Sequence, residues 1–515
     1  MPISVTKSKS GKLYVEILLC WFVLLAAAIV PFMGQIEKAF RAGPIIAGLV
    51  IVSTLFVGYF WLNGLKDLVY TFYFYRHKKD LLKTPTHGIG TASQKPRVVM
   101  VYCTCNDFDG KSLLRSMQQE YDNFYTVILD DSQKPEYIKK VNDFSARHGV
   151  PIIRRKTHEG FKAGNLNHFL SKGLFDYFVI LDSDEIVPKD FISRSLDYFA
   201  AYDNAGIVQA NHIATRNRNR FMRTYAIGVD SHWATYQAVK DHHGFLSLLG
   251  HGAMVSKECY TDAGGFPHMV AEDLCLSIKA RNSGYLVVFA PDIICEEEYP
   301  VDYLAFKKRH SKWTQGNMEF IKKFTGVIIT SPMKWYEKLD IILFTYSLPL
   351  TVFFSFYLII NVVALPILDY SIIYPMWMVV PTALFLLAPM LNDFFFYVRK
   401  RRFHSLMTYL FQTSLLYGSM FYTSLRASAK SLFGSSTFIV TPKTGQRINW
   451  GAAIRANLHE IVFVLLLLAA TMTLDRSPLP CILMIVSGLA SVYLTIMSNH
   501  DNEEFAELEA RSRLH

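Results

Sequence analysis

Tyr177-Phe178-Val179-Ile180-Leu181-Asp182-Ser183-Asp184-Glu185 decides the fold: five apolar residues in a row stop at a cluster of acids. A run this short and this continuous suits a strand buried on both faces of a parallel sheet. Two carboxylates two residues apart, where an extended strand ends, point the same way and can grip one hard cation. The Asp-x-Asp tripeptide is common by chance, so its weight comes from its surroundings. Upstream, the run from Arg97 to Thr104 leads to Asn106 and Asp107, and the run from Tyr125 to Leu129 leads to Asp130, Asp131 and Ser132. Ligands of open α/β sheets bind beyond the carboxyl ends of the strands. A lone acid there reads as a helix N-cap. Three acid-tipped strands in sequence read as a site. From about residue 70 to 339 such strands alternate with polar helical patterns, as in α/β domains.

Other segments of the same stretch carry chemistry. His158-Glu-Gly-Phe-Lys162-Ala-Gly-Asn-Leu-Asn167 has glycines that allow close backbone approach and a lysine that offers a cation to a diphosphate; a helix-start loop with a solvated lysine explains it equally well. Gly250-His251-Gly252-Ala253 precedes Glu272-Asp273 at the start of an apolar helical pattern. That acid pair caps a helix or supplies a general base for an acceptor hydroxyl. Lys308-Arg309-His310-Ser311-Lys312-Trp313 is either a stripe snorkelling at a membrane surface or a clamp, with Arg309 or Lys312 on diphosphate and Trp313 stacked on a sugar. Phe438-Ile-Val-Thr441-Pro-Lys443, read alone, is a polar loop.

Around this domain the chain is apolar. Of 515 residues, 51% are hydrophobic and 19% charged, with a net charge of +10. That is too apolar for an ordinary soluble protein of this size. A span needs about 20 apolar residues, and the stretches 14–33, 44–69, 341–365, 374–391, 458–474 and 479–498 qualify as six. The first lacks a small-residue cleavage site, so a retained span is expected rather than a signal peptide. Lys7, Lys9, Lys12, Arg76 to Lys79 and Arg399 to Arg402 flank these runs, and basic residues collect on the cytoplasmic side. The basic excess thus points to a lipid bilayer, and no aromatic-basic pattern points to nucleic acid. A span at 405–425 would carry Arg426, Lys430, Lys443, Arg447 and Arg455 outside, so that segment is expected to lie in the interface as an amphipathic helix. The stretch 332–338 is expected there too. Both termini are then cytoplasmic. The seven cysteines are scattered and odd in number, which excludes a disulfide framework; Cys103 and Cys105 lack a second Cys/His pair at zinc spacing.

Taken in order, the motifs from about Pro96 to Lys443 resemble the family-2 processive glycosyltransferases, which include cellulose, hyaluronan and chitin synthases. The resemblance implies an α/β fold of the GT-A (Rossmann-like) type, a cytoplasmic domain over 76–330 inserted between two helices in 1–75 and a helical region in 331–515. It implies Asp107 and Asp131 near the nucleotide and Lys162 on phosphate. Asp182 and Asp184 would hold Mg2+ or Mn2+ and the diphosphate. Asp273, beside Glu272, would be the base, and Gly250, His251 and Gly252 would shape the acceptor site with Trp313. The family's Gln-x-x-Arg-Trp signature is altered: Arg309 stands for Gln and Lys312 for Arg, and a lysine gives a point charge rather than a bidentate fork. Cys105 stands where cellulose synthases often carry Tyr. The segment 434–446 is similar to the gating loop of cellulose synthases, with Thr441 and Lys443 on diphosphate, which tilts the donor toward UDP-glucose. The chain ends soon after the last span, without room for a cyclic-di-GMP-binding domain. The expectation is a multi-pass enzyme of a bacterial plasma membrane, similar to single-enzyme streptococcal glucan capsule synthases. It would pass a growing β-glucan across the bilayer. The rivals are a synthase using UDP-N-acetylglucosamine, a transferase to a lipid carrier, and a transporter with a degenerate domain.

Overall fold

The computed structural model describes residues 5–86, 95–215, 219–345, 347–433, 442, 445, 448–475 and 477–512. Thr441 and Lys443, with nearly all of the expected gating loop, lie outside the described residues.

Seven strands form one sheet: β1 Val98–Thr104, β2 Phe124–Asp130, β3 Ile152–Ile153, β4 Tyr177–Leu181, β5 Ala205–Ile213, β6 Ala253–Ser256 and β7 Leu286–Glu296. Their order is β3-β2-β1-β4-β6-β5-β7. The first four are parallel, and β6 runs antiparallel to both β4 and β5. Register explains the site. Thr104 pairs with Asp130, and Tyr102 with Leu181, so the acid tips of β2, β1 and β4 end side by side.

Both faces of the sheet are covered, which is why these strands read as unbroken apolar runs. Val99, Val101, Val127, Phe178 and Ile180 enter one buried cluster. Val98, Met100, Ile128, Val179 and Leu181 enter the other. Pairing of β5 with β7 skips Pro291 to Ile293 on β7, between the pairs Ala210–Ala290 and Asn211–Ile294, after which His212 pairs with Cys295. Such a bulge re-aims the strand ends.

Among the described residues, two helices are long and apolar enough to cross a membrane: α1, Lys12–Ala42, and α2, Pro44–Leu81. They match the first two expected spans. Two bent pairs, Met376–Leu386 with Ala388–Tyr397 (56°) and Trp450–Ala456 with Leu458–Leu474 (67°), raise the count to four if each is one span. The other two expected spans fall on shorter apolar helices, Val352–Ile367 and Ile482–Ser498. The stretch expected in the interface forms two helices, Phe403–Ser419 and Phe421–Phe433. Leu406, Tyr409, Thr413 and Leu416 form the buried face of the first, at helical spacing.

A buried polar network fastens the sheet domain to the two amino-terminal helices. Tyr14 and Tyr70 share a hydroxyl hydrogen bond of 2.6 Å, and Tyr70 donates to Asp340 Oδ1 at 3.3 Å. Asp340 Oδ2 accepts from the Phe245 amide at 2.7 Å and pairs with Lys240 at 3.3 Å. All seven cysteines are free thiols.

Candidate active site

The turns after β1 and β2 are stapled together. Asn106 adopts a positive φ of 60°, and its side-chain oxygen accepts from the amides of Gln133 (3.0 Å) and Lys134 (2.8 Å). Asp107 accepts from Thr104 Oγ1 (2.9 Å), the Cys105 amide (2.8 Å) and Ser183 Oγ (2.8 Å). The Asp107 carboxylate therefore fixes the Asp182-Ser183-Asp184 turn to the tip of β1.

Two arginines that sequence reasoning passed over stand on the acids of β2. Arg154 donates to Asp130 Oδ2 at 2.7 Å. Arg155 forks onto Asp131, with Nε to Oδ1 at 3.0 Å and Nη2 to Oδ2 at 2.6 Å, and both side chains are buried. Nη2 also donates to the Phe161 carbonyl at 2.7 Å, and His158 Nδ1 lies 3.4 Å from Asp131. Asp131 thus sits at the inner end of a clamp that shapes the 158–162 loop. The signal that could have found it is an Arg-Arg pair directly after the short strand β3.

Lys162 links the remaining parts. Its ammonium donates to Asp182 Oδ1 at 2.5 Å and to the Gly250 carbonyl at 2.8 Å. Burial pulls this lysine down, but Asp182, Cys103 and Glu272 outweigh it and hold the ammonium above the ordinary lysine range. Gly250 has a φ of +88°, and a Cβ there would stand 3.1 Å from Asp273 Oδ2. Glycine is required both by the dihedral and by this approach. Asp182, Lys162, Gly250 and Asp273 therefore follow one another across a single cleft at the carboxyl end of the sheet. Asn167, by contrast, is structural: its amide holds the Phe266 carbonyl (2.7 Å) and accepts from the Phe266 amide (3.0 Å) and Tyr260 hydroxyl (2.9 Å).

Glu272 and Asp273 open the helix Glu272–Asn282. Burial, and then the neighbouring Asp273, push the Glu272 carboxyl up to about 8. Burial also raises Asp273, against the Leu274 amide that donates to it at 2.8 Å. A carboxyl raised above its ordinary range, as Asp273 is, suits a general base.

Asp182 and Asp184 fit a hard divalent cation. They offer oxygen donors only, at a strand end that opens outward, with the Asp182 side chain 40% exposed. Arg309 is placed otherwise than a free phosphate clamp: its guanidinium lies over the rings of Trp313 (4.6 Å), Tyr299 (4.9 Å) and Phe306 (5.5 Å). Trp313 keeps 46% of its surface exposed. Lys312 stands within electrostatic reach of Glu272, which it lowers. His251 lies between Glu185 (3.2 Å) and Glu297 (3.6 Å), within electrostatic reach of Asp182 and Asp273. Gly252 donates its amide to Glu185 Oε2 at 2.9 Å, at a φ of +57°.

Residues 177–397 match the family model "Glycosyl transferase family group 2". Glucomannan 4-beta-mannosyltransferase 1 of Cyamopsis tetragonoloba is 26% identical over 219 residues, 40% of this chain and 42% of the relative. The chain thus spans less than half the length of that curated relative. Among solved structures, mannosyltransferase PcManGT from Pyrobaculum calidifontis, in complex with GDP-Man and Mn2+, is similar at a TM-score of 0.44 and 18% identity, over 75% of this chain and 99% of that one. S. aureus TarS 1-349 in complex with UDP-GlcNAc is similar at a TM-score of 0.33 and 10% identity, over 68% of this chain and 96% of that one. The segment from β4 to Tyr397 is thus similar to family 2 glycosyltransferases.

Proposed function

We propose that the chain is an inverting, processive glycosyltransferase that extends a β-glucan from UDP-glucose at a membrane and moves the product across it. The observation that carries this reading is the continuity of Asp182, Lys162, Gly250 and Asp273 in one cleft. Lys162 binds the donor diphosphate once that group draws it from Asp182. A cation on Asp182 and Asp184, Mg2+ or Mn2+, would neutralise charge on the departing diphosphate. Asp273 takes the proton of the acceptor hydroxyl. That oxygen bonds to the anomeric carbon as the bond to diphosphate breaks, and the electron pair leaves with the nucleotide. Asp107 and the Arg155–Asp131 clamp position the nucleotide side of the cleft. Trp313 offers an exposed ring for the acceptor sugar, and α1 and α2 fix the enzyme to the bilayer.

Glucose is supported by the sequence from Phe438 to Lys443. Likeness to a glucomannan mannosyltransferase supports a second reading, a mannosyl nucleotide as donor. The test is the purified chain in lipid nanodiscs with a panel of radiolabelled nucleotide sugars, followed by linkage-specific glycanases. Polymer from UDP-glucose alone supports the first reading. Polymer from a mannosyl nucleotide or from UDP-N-acetylglucosamine sinks it, and incorporation from none sinks the enzyme assignment.

A further inference from the structure

Behind the acceptor loop, four chain segments bring metal-ligating side chains to one buried point. Glu185 follows β4, His212 ends β5, His251 precedes β6, and Cys295 and Glu297 close β7. The bulge in the pairing of β5 with β7 sets His212 opposite Cys295, and the bridge of Ile186 to Glu296 brings Glu185 alongside. Ligand atoms of His212, His251 and Glu297 lie within 4.8 Å of one another, as do those of Glu185, His212 and Cys295.

Hydrogen bonding accounts for this cluster only in part. His212 is fully buried and Glu185 is 1% exposed, yet His212 Nδ1, Glu185 Oε1 and His251 Nδ1 have no hydrogen-bond partner among the described residues. Unpaired buried polar atoms are costly, so their clustering asks for an occupant. His212 Nδ1 stands 3.6 Å from Glu297 Oε2 and 3.8 Å from Glu185 Oε1, and His251 Nε2 stands 3.6 Å from Glu297 Oε2. These three gaps exceed a normal N–H···O bond, while the 3.2 Å between His251 Nδ1 and Glu185 Oε1 lies at its upper edge. They approach the edge of a tetrahedron of ligands around zinc, roughly 3.3–3.5 Å for bonds of about 2.0–2.1 Å. The His212 ring is already oriented by stacking on Trp233 at 4.3 Å. Its other nitrogen lies 3.4 Å from the Gln209 amide, too far to fix the tautomer.

We propose that His212, His251 and Glu297 bind a structural Zn2+ ion, with Glu185 or Cys295 as the fourth donor, separate from the Asp182/Asp184 site. Two imidazoles, buried carboxylates and a thiol within reach suit zinc rather than magnesium. The ion would join the ends of β4, β5 and β7 to the loop whose Gly250 carbonyl holds Lys162. Its role is bracing, so it does not depend on the donor sugar.

The test uses the full chain in lipid nanodiscs. It is stripped with chelator, dialysed against Zn2+ alone, desalted and analysed by elemental mass spectrometry. An Asp182→Asn/Asp184→Asn chain is expected to retain about one zinc per molecule, and zinc is expected to raise its melting temperature. His212→Gln and Glu297→Gln, each made in that background, are expected to lose the retained zinc and the shift. Absence of retained zinc and of any zinc-dependent shift in the Asp182→Asn/Asp184→Asn chain would overturn the proposal, and this readout needs no change in the cluster itself. Retention undiminished in the His212→Gln and Glu297→Gln chains would overturn it as well.

Discussion

Replacing Arg155 with alanine leaves Asp131 buried without its cation. Arg155 contributes a bidentate pair at 3.0 and 2.6 Å between two largely buried side chains and a further bond of 2.7 Å to the Phe161 carbonyl. Removing one member of a buried ion pair costs about 3–5 kcal/mol, because the remaining charge is neither solvated nor paired. For a domain of about 250 residues, each kcal/mol lowers the melting temperature by about 2–4 °C, so a fall of roughly 6–20 °C is expected. The assay is thermal unfolding of the purified chain, followed by intrinsic fluorescence. Asp131→Asn in the Arg155→Gln background should then cost less than it does alone, with a coupling above about 1 kcal/mol. The loop bearing Lys162 also loses its anchor, so KM for the donor should rise. An Arg155→Ala chain within about 0.5 kcal/mol of wild type would refute the clamp, since that is the range of an uninvolved surface position.

Further outcomes follow from the same geometry. Burial raises the Asp273 carboxyl above the ordinary aspartate range, so protonation on the acid side disables the base. kcat/KM should therefore climb with pH along an acid limb that lies above the range of an exposed aspartate. Glu272, raised to about 8, is largely protonated below that pH, so Glu272→Gln should leave an acid limb that belongs to Asp273 in place. Lys162→Met removes a charge-assisted contact worth about 1.5–3 kcal/mol, so donor kcat/KM should fall by roughly 10- to 150-fold, measured by initial rates. Trp313→Ala, half exposed, should change stability by less than about 1 kcal/mol, including its cation–π contact with Arg309. It should also shorten the polymer, read by size-exclusion chromatography of the labelled product.

What the sequence disclosed was the half of the sheet that obeys a local rule. β1, β2 and β4 are buried on both faces and end in acids, so apolar runs and their termini locate Asp107, Asp131, Asp182 and Asp184 directly. The adjacency of those ends depends on strand order, which nothing local encodes; the parallel register of β1 with β2 and β4 supplies it. The roles of Arg155, His212 and Glu297 were illegible for another reason. Each acquires its meaning from a partner in another segment: Arg155 from Asp131, His212 from Glu185 and Glu297. His251 read as part of an acceptor loop, and its contacts with Glu185 and Glu297 come from segments distant in the chain. The helical region was legible in hydropathy and less so in geometry. Pro389 stands in the first turn of the second half of a bent pair, where one straight span was expected.

The central claim rests on Asp273 as the base in the cleft that Lys162 and Asp182 share. Asp273→Asn keeps the side chain's shape and removes its capacity to take a proton. In nanodiscs with labelled UDP-glucose, the variant should bind UDP as the wild type does and form no detectable polymer. Polymer at the wild-type rate would contradict the account.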